Sequence, residues 1–139
     1  MKYSQFVRVA EKEIGGRPFL SIYGREGVIR IPRCAVVLFG HPDNVCFMID
    51  RRYESIALMP CVEKHPMSAK VPEKLFTDHR NVSVRYHCKS FVEDLLFMND
   101  LDGDQTYLVY GTYDPAKQRI IYRMSAAIDT VSMAALGST

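Results

Sequence analysis

The sequence predicts a mainly β protein with short helices, built of two strand–helix–hairpin units that form one compact barrel-like domain. Three observations carry that prediction. Short segments of alternating apolar and polar residues recur between turn-forming clusters, which is the pattern of half-buried strands. One of those strands runs straight into Ile31-Pro32 and a short apolar stretch that stops at Gly40. The order strand, helix, hairpin then occurs twice, over residues 28–59 and again over 83–124.

Taken in chain order, Tyr3, Phe6, Val7, Ala10 and Ile14 fall at helical spacing ahead of Gly15-Gly16, while Val7 and Val9 also fit a strand. "FLSIY" (19–23), the turn "GREG" and "VIRI" (28–31) read as a hairpin, with Ile29 and Ile31 on one face and Val28 and Arg30 on the other. Pro32 has no N–H to donate and a fixed φ, so it ends strand pairing and opens a helix. "RCAVVLF" (33–39) is then a buried helix of roughly two turns closed by Gly40. After the turn "HPDN", "VCFMID" (45–50) turns Val45, Phe47 and Ile49 inward, residues 51–54 reverse the chain, and "SIALM" (55–59) returns it.

The second unit repeats the order. "SVRYH" (83–87) is a strand, and in "KSFVEDLLFMND" (89–100) Phe91, Val92, Leu95, Leu96 and Met98 share one helical side. Ser90 followed by Glu93 predicts a capping box at its start. "LDGD" turns the chain, and "TYLVYG" and "RIIYRM" form a hairpin around "DPAKQ". Aligning Ile31 with Tyr86 superposes the units, which share element order and almost no identity. The organisation expected is therefore an N-terminal helix or strand plus the first unit over 1–60, a linker over 61–81 with one helical turn at "PEKLF", the second unit over 82–125, and a tail over 126–139.

Composition bounds the function. With 47% hydrophobic and 24% charged residues and a net charge of +2, this is an ordinary folded chain. No apolar run approaches the roughly 20 residues of a membrane span, and charged residues interrupt the start where a signal peptide needs an apolar stretch, so a cytoplasmic location is expected. Cys34, Cys46, Cys61 and Cys88 show no C-x-x-C pairing and sit in or beside apolar segments, as reduced core thiols do. Residues 1–60 carry nine Lys/Arg against six Asp/Glu, and residues 61–139 nine against ten. The basic half suggests an anionic partner there.

Residues 26–60, "EGVIRIPRCAVVLFGHPDNVCFMIDRRYESIALMP", resemble the SpoVT-AbrB superfamily, the swapped-hairpin barrels of transition-state regulators, MazE-type antitoxins and MraZ. The family order is strand, Ile-Pro, one or two helical turns ending near Leu-Gly, a turn, an alternating strand and a final strand. Ile31-Pro32, Phe39-Gly40, "VCFMID" and "SIALMP" follow it. The resemblance implies units that pair to close a barrel, either between subunits as a homo-oligomer or between tandem copies as a monomeric pseudo-dimer, and it implies duplex DNA as the partner. Where the DNA-binding members usually carry arginines, this chain has Val28, Val36 and Val37. Its own basic candidates for nucleic-acid contact are Arg25, Arg30, Arg33, Arg51 and Arg52. A protein-interaction or scaffold module that kept the barrel and lost DNA binding is the alternative.

Other patterns carry less. "NDLDGD" (99–104) has acidic residues at alternate positions but an early glycine, and Gly111 stands where a calcium loop closes with glutamate. His87-Cys88 with His79, and Cys61 with His65, match no zinc spacing. Tyr107, Tyr110, Tyr113 and Tyr122 alternate on a hairpin, where aromatic pairs pack sheets or line a small-ligand barrel. There is no nucleophile elbow and no glycine-rich phosphate cradle, so no catalytic role and no cofactor are expected.

Overall fold

The computed structural model describes residues 18–62, 65–77 and 82–130; the helix or strand expected over 1–16 and the end of the tail lie outside them. Strands β1 (Phe19–Tyr23) and β2 (Val28–Pro32) form the first hairpin. Helix α1 (Arg33–Val36) tightens into a 3-10 turn over Val37–Phe39 and ends at Gly40, whose φ of 85° lies outside the range most residues adopt. Strands β3 (Asn44–Ile49) and β4 (Ser55–Pro60) follow, then β5 (Ser68–Lys70), α2 (Lys74–Thr77), β6 (Ser83–His87), α3 (Lys89–Met98), β7 (Thr106–Asp114), β8 (Arg119–Arg123) and, after a 3-10 turn, β9 (Ile128–Asp129).

Eight of these strands stand in the order β5-β3-β4-β8-β7-β1-β2-β6, every pair antiparallel, and curl into a nearly closed barrel. β9 lies on the edge of β7 beyond β8, pairing Ile128 with Leu108. The seam is between β5 and β6. There Tyr86 closes the wall with side chains: its ring meets Phe47 edge-on at 5.4 Å and its hydroxyl donates to the Met67 sulfur at 3.5 Å. The ladder has a topological symmetry. Exchanging each of β1–β4 with the strand four later turns β1–β7 into β5–β3 and β7–β8 into β3–β4, while β4–β8 and β2–β6 map onto themselves. The seam is the image of the β1–β2 hairpin.

Period-two alternation sends Leu20, Ile22, Ile29, Ile31, Val84 and Val109 into a common interior, all at most 1% exposed. Helices close the ends. Val92, Leu95 and Leu96 of α3 are wholly buried over the end that holds the β1–β2 and β3–β4 turns. Phe39, after α1, meets Tyr113 edge-on at the opposite end. Two opposed pairs fill the interior in complementary ways: Phe47 faces Leu58 across β3–β4, whereas Gly111 faces Tyr122 across β7–β8.

Three details differ from the sequence reading. No capping box forms: the α3 N-cap is Cys88, without a side-chain cap, and Ser90 lies inside the first turn. The Cys88 N–H is already donated to the Gly27 carbonyl while its own carbonyl accepts from Val92, so the strand hands the chain to the helix two residues early. Residues 61–81 contain β5, paired to Asn44–Cys46, as well as the helical turn. Part of the tail is a strand of the sheet. β5 and β9 are two or three residues long, too short to show alternation.

Candidate nucleic-acid interface

Arg30 sits on the outward face of β2, because Ile29 and Ile31 on either side of it point into the core. It is half-buried, and its Nε donates to Ser83 Oγ at 3.1 Å. The register places it directly opposite Arg85 of β6, the middle pair of the five that join the two strands. Arg85 is exposed. Neither guanidinium has an ion-pair partner among the described residues. Directly opposed residues of an antiparallel pair hold their Cβ atoms about 5 Å apart, and like charges there destabilise the sheet. The exposed His87 extends the same strand, and the exposed Lys70 of β5 flanks it across the seam.

The other sequence candidates are spread over the molecule. Arg25 is exposed in the β1–β2 turn, which packs on the first turn of α3: a Cβ on Gly27, whose φ is +68°, would lie 2.6 Å from the Lys89 Cα. Arg51 and Arg52 are exposed in the β3–β4 turn at the other end of α3, where Asn99 Nδ2 donates to the Tyr53 carbonyl at 2.7 Å. Ten helical residues, about 15 Å, separate these two turns. Arg52 approaches Glu54 at 4.0 Å, a surface pair worth little. Arg33 lies at the opposite end of β2 from Arg25. Its Nε donates to the Leu75 carbonyl at 2.6 Å, and burial lowers its pKa from the usual value. It ties α1 to α2.

Asp50 shapes the turn that carries Arg51 and Arg52. Its carboxylate accepts the N–H groups of Arg52 (3.0 Å), Glu54 (2.9 Å) and Ser55 (2.9 Å) and the Ser55 hydroxyl (2.9 Å). Partial desolvation pushes the carboxyl up, and those hydrogen bonds, with Ser55's hydroxyl foremost, outweigh it and hold the pKa below the usual carboxylate range. A depressed folded-state value means that the turn's stabilisation is full above the ordinary range near about 3.9 and is lost as pH falls through the lowered value. The amide resonances of Glu54 and Ser55 are expected to titrate together below pH of about 3.9, and to lose that step in Asp50→Asn.

The remaining sequence patterns resolve into packing. Tyr107 and Tyr122 are buried, Tyr113 covers the α1 end, and Tyr110 faces outward against Phe19 at 6.3 Å. Tyr107, Tyr113 and Tyr122 thus share the inward face, packed into the core, and only Tyr110 lies on the other side of the wall. In "NDLDGD", Asn99 Nδ2 also donates to the Leu95 carbonyl and Asp102 accepts the Asp104 N–H, so these residues terminate α3. His65 Nδ1 accepts the Met67 N–H, and His79 lies outside the described residues. The four cysteines are free thiols. Burial pushes Cys46 up to about 12, aided by a hydrogen bond with Cys61, and burial pushes Cys88 to about 12. Thiols so raised stay protonated at neutral pH and pack as small hydrophobes.

Sequence reasoning missed Arg85. The signal is in the sequence: aligning Ile31 with Tyr86 places Arg30 on Arg85, whereas the charge imbalance points to the first half alone. No family model, curated protein or solved structure matches the chain. Among the described residues no helix is long and apolar enough to cross a membrane.

Proposed function

We propose that this is a small cytoplasmic DNA-binding regulator of the AbrB/MraZ type, a monomeric pseudo-dimer whose two divergent units pair within one chain. Duplex DNA lies along the outer wall of β2 and β6. Arg30 and Arg85 contact phosphates at the centre of that wall, and Arg25, Arg51 and Arg52 reach the backbone further out. Arg33, occupied with the Leu75 carbonyl, belongs to the scaffold. One observation carries the reading: two arginines are held directly opposite each other, without acidic partners among the described residues, where the fold alone disfavours like charges. An anion bridging the two guanidiniums removes that cost, and the planar fork of arginine suits phosphate oxygens. The self-mapping of the β2–β6 ladder adds support, since a local dyad in a protein matches the dyad of a duplex site.

Fluorescence anisotropy with a duplex of about 20 bp tests it. Affinity should fall with salt on a log–log slope of at least about −1.8, the contribution of two neutralised phosphates. Absent or salt-insensitive binding overturns the reading.

A protein-interaction module is the second reading, and a specific observation favours it. On the far wall, Met48 (49% exposed), Ala57 and Ile121 form an outward apolar row across β3, β4 and β8. A purified protein partner held at salt of about 1 M, where exposed charges are screened within roughly 3 Å, would support it.

A further inference from the structure

We infer that the outer face of α3 is a docking site for a cationic, apolar-bearing segment of a partner protein. This site is separate from the wall of β2 and β6 and does not depend on DNA binding.

The face is made by residues that the core does not use. Val92, Leu95 and Leu96 fill the barrel end, whereas Phe97 is 78% and Met98 50% exposed. On a helix, residues three and four apart are neighbours, so Phe97 lies against the exposed Glu93 and Asp94, and Met98 against Asp94. A phenylalanine this open contributes little to folding, because folding removes little of its surface from water. Two adjacent apolar side chains at the rim of the molecule are unusual enough to ask what covers them.

Charge identifies the occupant. The helix ends in a partial negative charge, and no basic residue stands in its last turn. Asp100, Asp102 and Asp104 follow immediately, all exposed, and Asp100 has a positive φ of 56°. None of these five carboxylates has an ion-pair partner among the described residues. Arg51 and Arg52 border the patch from the β3–β4 turn, with Arg52 directed to Glu54. On a chain of net charge +2, this end is thus locally acidic around an apolar centre. The five carboxylates keep nucleic acid off the helix face itself, whatever Arg51 and Arg52 meet beyond its border. The complementary surface is an amphipathic segment whose aliphatic side chains cover Phe97 and Met98 while its lysines or arginines meet the carboxylates.

The probe is a synthetic peptide of roughly 14 residues, leucine and lysine patterned as an amphipathic helix, titrated into the isotope-labelled full chain. Two control peptides replace leucine with serine, or lysine with glutamate. The leucine–lysine peptide should shift amides over residues 93–104, and Phe97→Ser and Asp94→Lys should each weaken it by about tenfold or more. The serine control should bind at least about tenfold more weakly and the glutamate control not at all. Because both side chains are exposed, melting temperature and duplex-DNA affinity should be unchanged in Phe97→Ser, which separates this site from the β2–β6 wall. Shifts confined to other regions, a Phe97→Ser affinity equal to the parent's, or a serine control as tight as the leucine peptide would each overturn the inference.

Discussion

Gly111→Val is expected to destabilise the barrel by about 3 kcal/mol or more, and Gly111→Ala by about 2 kcal/mol, read as a lower denaturant midpoint at unchanged slope. A Cβ at this position would lie 2.6 Å from Ile120 Cγ2 and 2.7 Å from Tyr122 Cε1. Both neighbours are fully buried, so neither side chain has solvent to move into. The Tyr122 hydroxyl has no hydrogen-bond partner among the described residues, and burial pushes its pKa up. Packing alone therefore holds the ring, in space that a glycine leaves open. Tyr122→Leu by itself should cost about 2–3 kcal/mol through the cavity it leaves. Combined with Gly111→Ala it should recover at least about 1 kcal/mol relative to the sum of the single changes, because leucine withdraws the atoms that the new methyl meets. Phe47 opposite Leu58 already shows that this barrel accepts the large residue on the other strand. Strictly additive single effects would refute the steric account.

Arg85→Glu should move stability and DNA affinity in opposite directions. Opposite Arg30 it replaces a repulsive cross-strand pair with an attractive one, which should stabilise the sheet by up to about 1 kcal/mol. The same change removes one phosphate contact and adds a charge of the wrong sign, so duplex affinity should fall by at least about tenfold and the salt slope should flatten by about 0.9. Arg33→Ala provides the contrast. It should leave DNA affinity and salt slope unchanged while lowering stability by about 1 kcal/mol, since its Nε holds the Leu75 carbonyl. Denaturation and anisotropy on the same samples read both quantities. If Arg85→Glu leaves duplex affinity unchanged, the β2–β6 wall is not the interface.

The candidate site was only partly legible before the structure. Arg30 could be assigned to an outward strand face because alternation is a local property, and Ile29 and Ile31 on either side settle it. That Arg33 is structural could not be read, since its role depends on a carbonyl of α2 far along the chain. Phe97 escaped notice for a different reason. Helical spacing puts Phe91, Val92, Leu95, Leu96 and Met98 on one side of α3, and Met98 proves half-exposed because the barrel mouth accepts only Val92, Leu95 and Leu96 fully.

What the sequence determined by itself is the mainly β class, the order of its longer elements and the way the longer strands turn their faces. Alternation, Pro32 at a strand–helix junction and Gly40 at a helix end act within a few residues of chain. The tertiary structure alone decided which strands are neighbours. It decided that β6 lies beside β2 so that Arg85 faces Arg30, that β5 and β9 join the sheet, and that the barrel stays open along one seam. The reason is that strand pairing is chosen by the burial of both partners' apolar faces together, a property of the assembled core that no single segment carries.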